Sequence, residues 1–357
     1  LRNGNPDIVN QDMLNQITGN QRAREMLARI LELGRLPGAL LFSGEEGIGK
    51  KLFALEVARA LNCRSPRQAQ GCGECSSCQR IARFNYPEAE ESDDWKNIIW
   101  TDYGDVGMVV APKRVLLVDQ MRQIEREANF RPFEGKARVF IIDDADKLNE
   151  PAANALLKVL EEPPPTSHLI LVTSQPAMLL PTVRSRCQVV RFAPLTTAEI
   201  EDYLVRTQKM STAEAALRAR LGRGSIGRAL ASEVSTLQDQ RSAMLKVIRA
   251  LTLTDDRLFL LRAAEELNEA RYKDEYEARL DVLETLIRDA LALAVGAPKT
   301  QIINDDLLSE LTQISQRISS TRAAKWITQI EELREQLVVN INRKAATDAL
   351  FMSMAAR

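Results

Sequence analysis

Ala39-Leu40-Leu41-Phe42-Ser43-Gly44-Glu45-Glu46-Gly47-Ile48-Gly49-Lys50-Lys51 is the stretch on which the fold turns. Four apolar residues in succession predict a short buried strand, and Gly44-x-x-x-x-Gly49-Lys50 behind it has the spacing of a phosphate loop. At Gly44, Gly47 and Gly49 the missing Cβ lets backbone N–H groups close around phosphate oxygens, and the N-terminus of the next helix, expected from Lys51 to about Leu61, adds a favourable dipole. Lys50 is the candidate phosphate partner. The following position calls for a Ser or Thr hydroxyl to coordinate Mg²⁺, and here it is Lys51. An ammonium cannot ligate a cation. The same residues can also be read as a glycine-rich turn that no longer holds nucleotide, so ATP and Mg²⁺ are expected to bind weakly or not at all.

Working outward, the first ~180 residues alternate helix and strand signals, as an α/β layered domain does. Gln21–Leu33 has helical spacing, with Met26, Leu27, Ile30, Leu31 and Leu33 on the side expected to be buried. Further strands are expected at Ile98–Thr101, Val115–Val118, Val139–Ile142 and Leu169–Thr173. A helix over Glu150–Glu162 must end at Pro163-Pro164-Pro165. The strand Val139–Ile142 runs into Asp143-Asp144-Ala145-Asp146, where Asp143 suits a magnesium ion and Asp144 a water-activating base; an Asp capping the next helix is the plainer reading. From about Phe192 strand signals disappear. Thr196–Gln208, Ser211–Leu221 and Ser225–Ser232 read as short helices, followed by long ones such as Asp274–Val295 and Arg322–Asn342.

The 357 residues are 45% hydrophobic and 27% charged, enough for two or three cores. With a formal charge of −1 and 5% aromatics, any contact with DNA must use a local basic face rather than a global field or a stacking platform. There is no apolar run of about 20 residues, and the opening Leu1-Arg2-Asn3-Gly4-Asn5 is not a signal peptide, so the expected location is the cytoplasm with no membrane contact. Of five cysteines, Cys63, Cys72, Cys75 and Cys78 fall within sixteen residues as Cys-x8-Cys-x2-Cys-x2-Cys. That spacing matches tetrahedral Zn²⁺, and four sulfur ligands leave no open position, so a structural zinc is expected. Cys187 reads as a small buried residue, and His168, the single histidine, as structural.

The phosphate loop, the cysteine knuckle behind its helix, Asn154-Ala155-Leu156-Leu157-Lys158-Val159-Leu160-Glu161-Glu162-Pro163-Pro164 and Ser185-Arg186-Cys187 together resemble the bacterial clamp-loader subunits of the DNA polymerase III holoenzyme, which are AAA+ proteins. The resemblance in motifs covers about residues 15–232. It implies an α/β AAA+ domain (1–190) with its zinc module at 63–78, a small helical lid (191–234) and an all-α collar (235–357) that builds a hetero-pentamer with motor (gamma/tau) and delta subunits. Such a ring acts on the sliding clamp and on primer-template DNA. Lys51, Asp144 in place of Glu, and Gly227 in Gly224-Ser225-Ile226-Gly227-Arg228-Ala229, where motors carry an arginine, all favour the non-motor delta prime type over a gamma/tau-like motor. Arg228, one position on, points about 100° away on a helix.

In that reading Arg186 is an arginine finger donated to a neighbour's ATP, although pairing with a carboxylate at the domain–lid junction is its other reading. Ile17, in Ile17-Thr18-Gly19-Asn20-Gln21, is similar to the adenine-side motif, and Ser174 takes the polar water-sensing position with Thr173 beside it. Arg122 and Arg126, four apart on a helix opening at Asp119, suit phosphate contacts; surface pairing with Glu125 or Glu127 competes. A free-standing zinc DNA-binding ATPase would need tight DNA binding, against the near-neutral charge.

Overall fold

A computed structural model describes residues 17–68, 70–87, 92–112, 115–222, 224–231, 234–272, 275–298, 302–338 and 342–356; the opening residues 1–5 lie outside them. The chain divides into two compact units, Leu1–Met210 with Gly224–Ala231, and Ser211–Arg223 with Ser232–Arg357.

The first unit runs α1 (Gln21–Glu32), β1 (Ala39–Ser43), α2 (Lys50–Asn62), α3 (Ser76–Ile81), β2 (Ile99–Trp100), β3 (Val106–Val109), α4 (Val118–Ala128), β4 (Arg138–Ile142), α5 (Glu150–Glu161), β5 (Ser167–Thr173), α6 (Pro181–Arg184), β6 (Gln188–Arg191) and α7 (Thr197–Arg206). A further helix, Ile226–Ala231, belongs to it; with Thr212–Leu221 as α8 of the second unit, it is α9. The strands form a six-stranded sheet in the order β2-β3-β4-β5-β1-β6, parallel except for β2 against β3. Strands β1 and β4 are buried along their whole length, which is why Ala39–Phe42 and Val139–Ile142 read as unbroken apolar runs. Alternate residues then feed two cores. Leu41, Phe140, Ile142 and Leu171 pack with α4 and α5, whereas Leu40, Phe42, Ile141 and Val172 pack with α1 and α2.

This is the α/β phosphate-loop architecture expected, with three local corrections. The strand assigned to Val115–Val118 is absent: Leu116 makes one isolated bridge to Leu148, and Val118 already begins α4. The strand that occupies its place in the sheet is β3, whose apolar run is interrupted by Gly107. Leu33 lies beyond the end of α1 and is 63% exposed; of the other residues expected on the buried side, Leu27 is fully buried with Ala23 beside it, and Met26 and Leu31 pack partly buried against the same core. His168 sits inside β5, not before it, with Nδ1 bonded to the Pro37 carbonyl at 3.2 Å, and burial lowers its pKa.

The second unit is helical: α8, α10 (Val234–Arg249), α11 (Arg257–Leu267), α12 (Tyr276–Ala294), α13 (Leu308–Ser315), α14 (Ser320–Val338) and α15 (Arg343–Ala355). Asn342, read as the end of a long helix, instead caps α15 by accepting from the Ala345 N–H, while residues 274 and 339–341 of the two expected long helices lie outside the described residues. Tyr276, Trp326 and Phe351 anchor its core. Among the described residues no helix is long and apolar enough to cross a membrane.

Candidate functional site

Buried β1 delivers the chain into Gly44, Gly47 and Gly49 at φ values of 154°, 73° and 97°, conformations that favour glycine. Lys50 opens α2 and is almost fully buried, its Nζ donating to the carbonyls of Gly44 at 2.6 Å and Glu45 at 2.5 Å. Burial lowers its pKa against the opposing charges of Asp143 and Glu46. The next side chain, Lys51, crosses to the end of β4 and places its ammonium 2.9 Å from Asp143 Oδ2. Asp144 stands in the left-handed region at φ 48° and pairs outward with Lys147 at 2.7 Å.

At the end of neighbouring β5 the expected Ser174 is exposed. Thr173, buried, is the polar group that reaches the acidic turn, its hydroxyl donating to Asp146. Ile17 is buried near the loop, with Cγ2 3.9 Å from where a Cβ on Gly49 would stand. Over the loop lies the start of α9. The Gly227 N–H donates to the Gly47 carbonyl at 3.0 Å, and a Cβ on Gly227 would come within 2.9 Å of Gly47 Cα. Arg228 turns to Glu45 at 3.3 Å. This contact between two glycines has no signal in either motif taken alone.

Cys63, Cys72, Cys75 and Cys78 converge behind α2, with all four Sγ atoms within 4.8 Å of one another and Cys63 Sγ 3.9 Å from Cys75 Sγ. Zinc–sulfur bonds of about 2.3 Å in a tetrahedron require sulfurs about 3.8 Å apart. The donor set therefore fits a closed zinc site. Without a metal the thiols influence one another: burial opposes the Cys75 thiolate, but the backbone N–H groups of Cys78 and Arg64 bring that thiol to about 6, whereas burial pushes Cys63 and Cys78 up, so metal binding would have to release their protons. Gly71 is required here because a Cβ would meet Arg59 Cβ at 2.8 Å, while Arg59 Nε donates to the Cys78 carbonyl at 3.1 Å. Cys187 stays apart and buried, its thiol pushed up to about 12 by burial.

Arg186 follows α6 at the rim of the sheet. Its guanidinium donates to the Thr182 carbonyl at 2.9 Å and pairs with Glu161, the last residue of α5, at 2.7 Å, leaving the side chain about a third exposed. Glu161 was present in the quoted motif, but nothing in its spacing linked it to Arg186. On α4, Arg122 and Arg126 are both exposed. Arg122 pairs with Asp119 at 3.2 Å, whereas Glu125 goes to Lys158 and Glu127 to Arg138, so the carboxylates that competed for these arginines are engaged elsewhere.

A family model described as DNA polymerase III, delta subunit, matches residues 19–196, and one described as DNA polymerase III, delta subunit, C terminal, matches 236–346. The DNA polymerase III subunit delta' of Escherichia coli (strain K12) is 31% identical over 325 residues, spanning 90% of this chain and 89% of its own length. The chain belongs to the DNA polymerase III delta' subunit family. The delta' subunit of Bacillus subtilis (strain 168) is 27% identical over 93% of this chain and 95% of its own. The gamma/tau subunit of Mycobacterium tuberculosis (strain ATCC 25618 / H37Rv) is 34% identical, but over 54% of this chain and 30% of its own. The phosphate loop described above, with Lys51 behind Lys50 and Gly227 seated on Gly47, is thus that of a delta' family member.

Proposed function

We propose that this chain is the non-motor delta' member of a clamp loader, and that it donates Arg186 to the ATP site of a neighbouring gamma/tau motor. In this reading it joins the motors and a delta subunit in a hetero-pentamer that opens a sliding clamp and places it on primer-template DNA. The observation that carries the reading is the setting of Arg186. The residue is at the rim, outside the chain's own phosphate loop, and its guanidinium is held by Glu161 and the Thr182 carbonyl rather than left to wander. A planar guanidinium so held can stabilise charge that develops on transferring phosphoryl oxygens. The zinc centre needs no part in the reaction; four thiolates around a closed zinc brace the module against α2. Arg122 and Arg126 are the residues proposed to meet DNA phosphates, positioning the duplex without reading its sequence.

The test uses the complete loader reconstituted with this chain. Arg186→Ala should leave assembly on gel filtration unchanged while hydrolysis at the one served site falls on the order of 10³-fold or more. In the steady state this appears as a partial loss of DNA-stimulated ATPase. Unchanged hydrolysis would mean that Arg186 is only a surface partner of Glu161. ATPase activity from this chain alone, lost in Lys50→Ala, would instead establish the gamma/tau-like motor reading.

A further inference from the structure

We propose that Lys51 is a tethered cation that takes the metal's place on Asp143, so that the phosphate loop excludes magnesium nucleotide by being already occupied. Losing the Ser or Thr hydroxyl would only weaken a metal site. The geometry goes further. Asp143 is 8% exposed, and a carboxylate so nearly buried is costly to leave without a partner. The Lys51 ammonium is that partner at 2.9 Å, in a direct hydrogen-bonded pair. The Lys51 side chain is about half exposed; burial opposes its charge, yet the charge of Asp143 with the hydrogen bond raises its pKa above the ordinary lysine value, and the ammonium therefore keeps its charge at neutral pH.

The phosphate side is filled in the same manner, by the protein's own groups. Lys50 uses two of its three donors on the Gly44 and Glu45 carbonyls. The 224–227 segment lies directly on Gly47: the Gly227 N–H donates to its carbonyl, and a Cβ on Gly47 would stand 2.2 Å from Ser225 Oγ. Ser225 is completely buried, its hydroxyl accepts from the Arg228 N–H at 3.1 Å, and the Arg228–Glu45 pair ties the segment to the loop from outside. Cation, lysine and cover are therefore all internal, and the loop serves as a seat for the start of α9. A metal brought to Asp143 would have to displace an ammonium that is covalently attached one residue from the loop, at very high effective concentration.

This inference does not depend on the role of Arg186. Full-length chain is titrated calorimetrically with ADP and ATP, in Mg²⁺ and in EDTA, and Mn²⁺ alone is followed by its paramagnetic resonance signal. The wild-type chain should show no gain in nucleotide affinity from Mg²⁺. Lys51→Thr, which frees Asp143 and adds a hydroxyl, should bind nucleotide at least tenfold more tightly with Mg²⁺ than without and should acquire a Mn²⁺ site. Lys51→Arg, which keeps the cation, should behave as wild type. In Lys51→Thr combined with Asp143→Asn the metal response should vanish. A wild-type chain that binds nucleotide tenfold more tightly in Mg²⁺ than in EDTA overturns the proposal without recourse to any variant. So does a folded Lys51→Thr protein indifferent to both metals.

Discussion

A Cβ built on Gly107 would stand 2.5 Å from Ile98 Cγ2 and 3.1 Å from Trp100 Cε3, so the middle of β3 accepts no side chain where β2 crosses it. Gly107→Val is therefore expected to destabilise the first unit by about 1–3 kcal/mol, despite the better strand propensity of valine, and urea denaturation monitored by circular dichroism would measure it. A substitution that raised stability would show that the β2–β3 pair yields easily. The same glycine explains why this strand escaped the sequence reading. Propensity weighs a residue's preference for the strand, whereas Gly107 is there for the space that Ile98 and Trp100 require. Asp105, just before β3, is a comparable case: fully buried, it accepts from the backbone N–H groups of Phe133, Glu134 and Gly135 and faces the buried guanidinium of Arg138. In sequence it is one carboxylate among many.

Among the elements, α2 links the phosphate loop to the cysteine module. Its first turn holds Lys50 and Lys51, and its last turns hold Arg59 against the cysteine module and Asn62, whose Oδ1 accepts from the N–H groups of Lys136 and Ala137 at 2.9 and 3.1 Å. A metal that braces residues 63–78 therefore also braces the end of α2. Stripping zinc with a strong chelator under reducing conditions should lower Tm. If the bound metal contributes only ~2 kcal/mol, the fall is about 4–8 °C for a unit of this size. Cys78→Ser should show the same fall and no further response to chelator, with metal content read by elemental analysis. Reductant alone should change nothing, because the cysteines are free thiols rather than disulfides. A chelator-insensitive Tm in the wild-type chain would remove zinc from the account. The cysteine spacing made this centre legible from sequence because its ligands are close along the chain. The acidic strand end was legible for a different reason, a buried apolar run that stops at Asp143. Which polar group joins it from β5 was not, since Thr173 and Ser174 are adjacent and only the alternation of β5 turns Thr173 toward Asp146.

At the scale of the whole molecule each unit has its own core, and the second depends on Trp326. That side chain is 1% exposed, donates from Nε1 to the Met354 carbonyl at 3.0 Å and carries the Arg322 guanidinium 4.9 Å above its ring, closing α14 on α15. Trp326→Ala should cost the helical unit about 3–5 kcal/mol while leaving the zinc content of the first unit unchanged, as denaturation and elemental analysis would show. Loss of zinc in that variant would mean the two cores unfold as one. By itself the sequence determined the order of most strands and helices, the phosphate-loop class of the first unit, the cysteine centre and the family resemblance. Those features rest on local spacing and on apolar runs, which neighbouring residues along the chain are enough to specify. Tertiary structure alone decided that Lys51 reaches Asp143, that Gly227 sits on Gly47, and that Arg186 is held by Glu161. Each of these joins residues far apart in the chain through ångström-scale fit, and no periodicity carries that information.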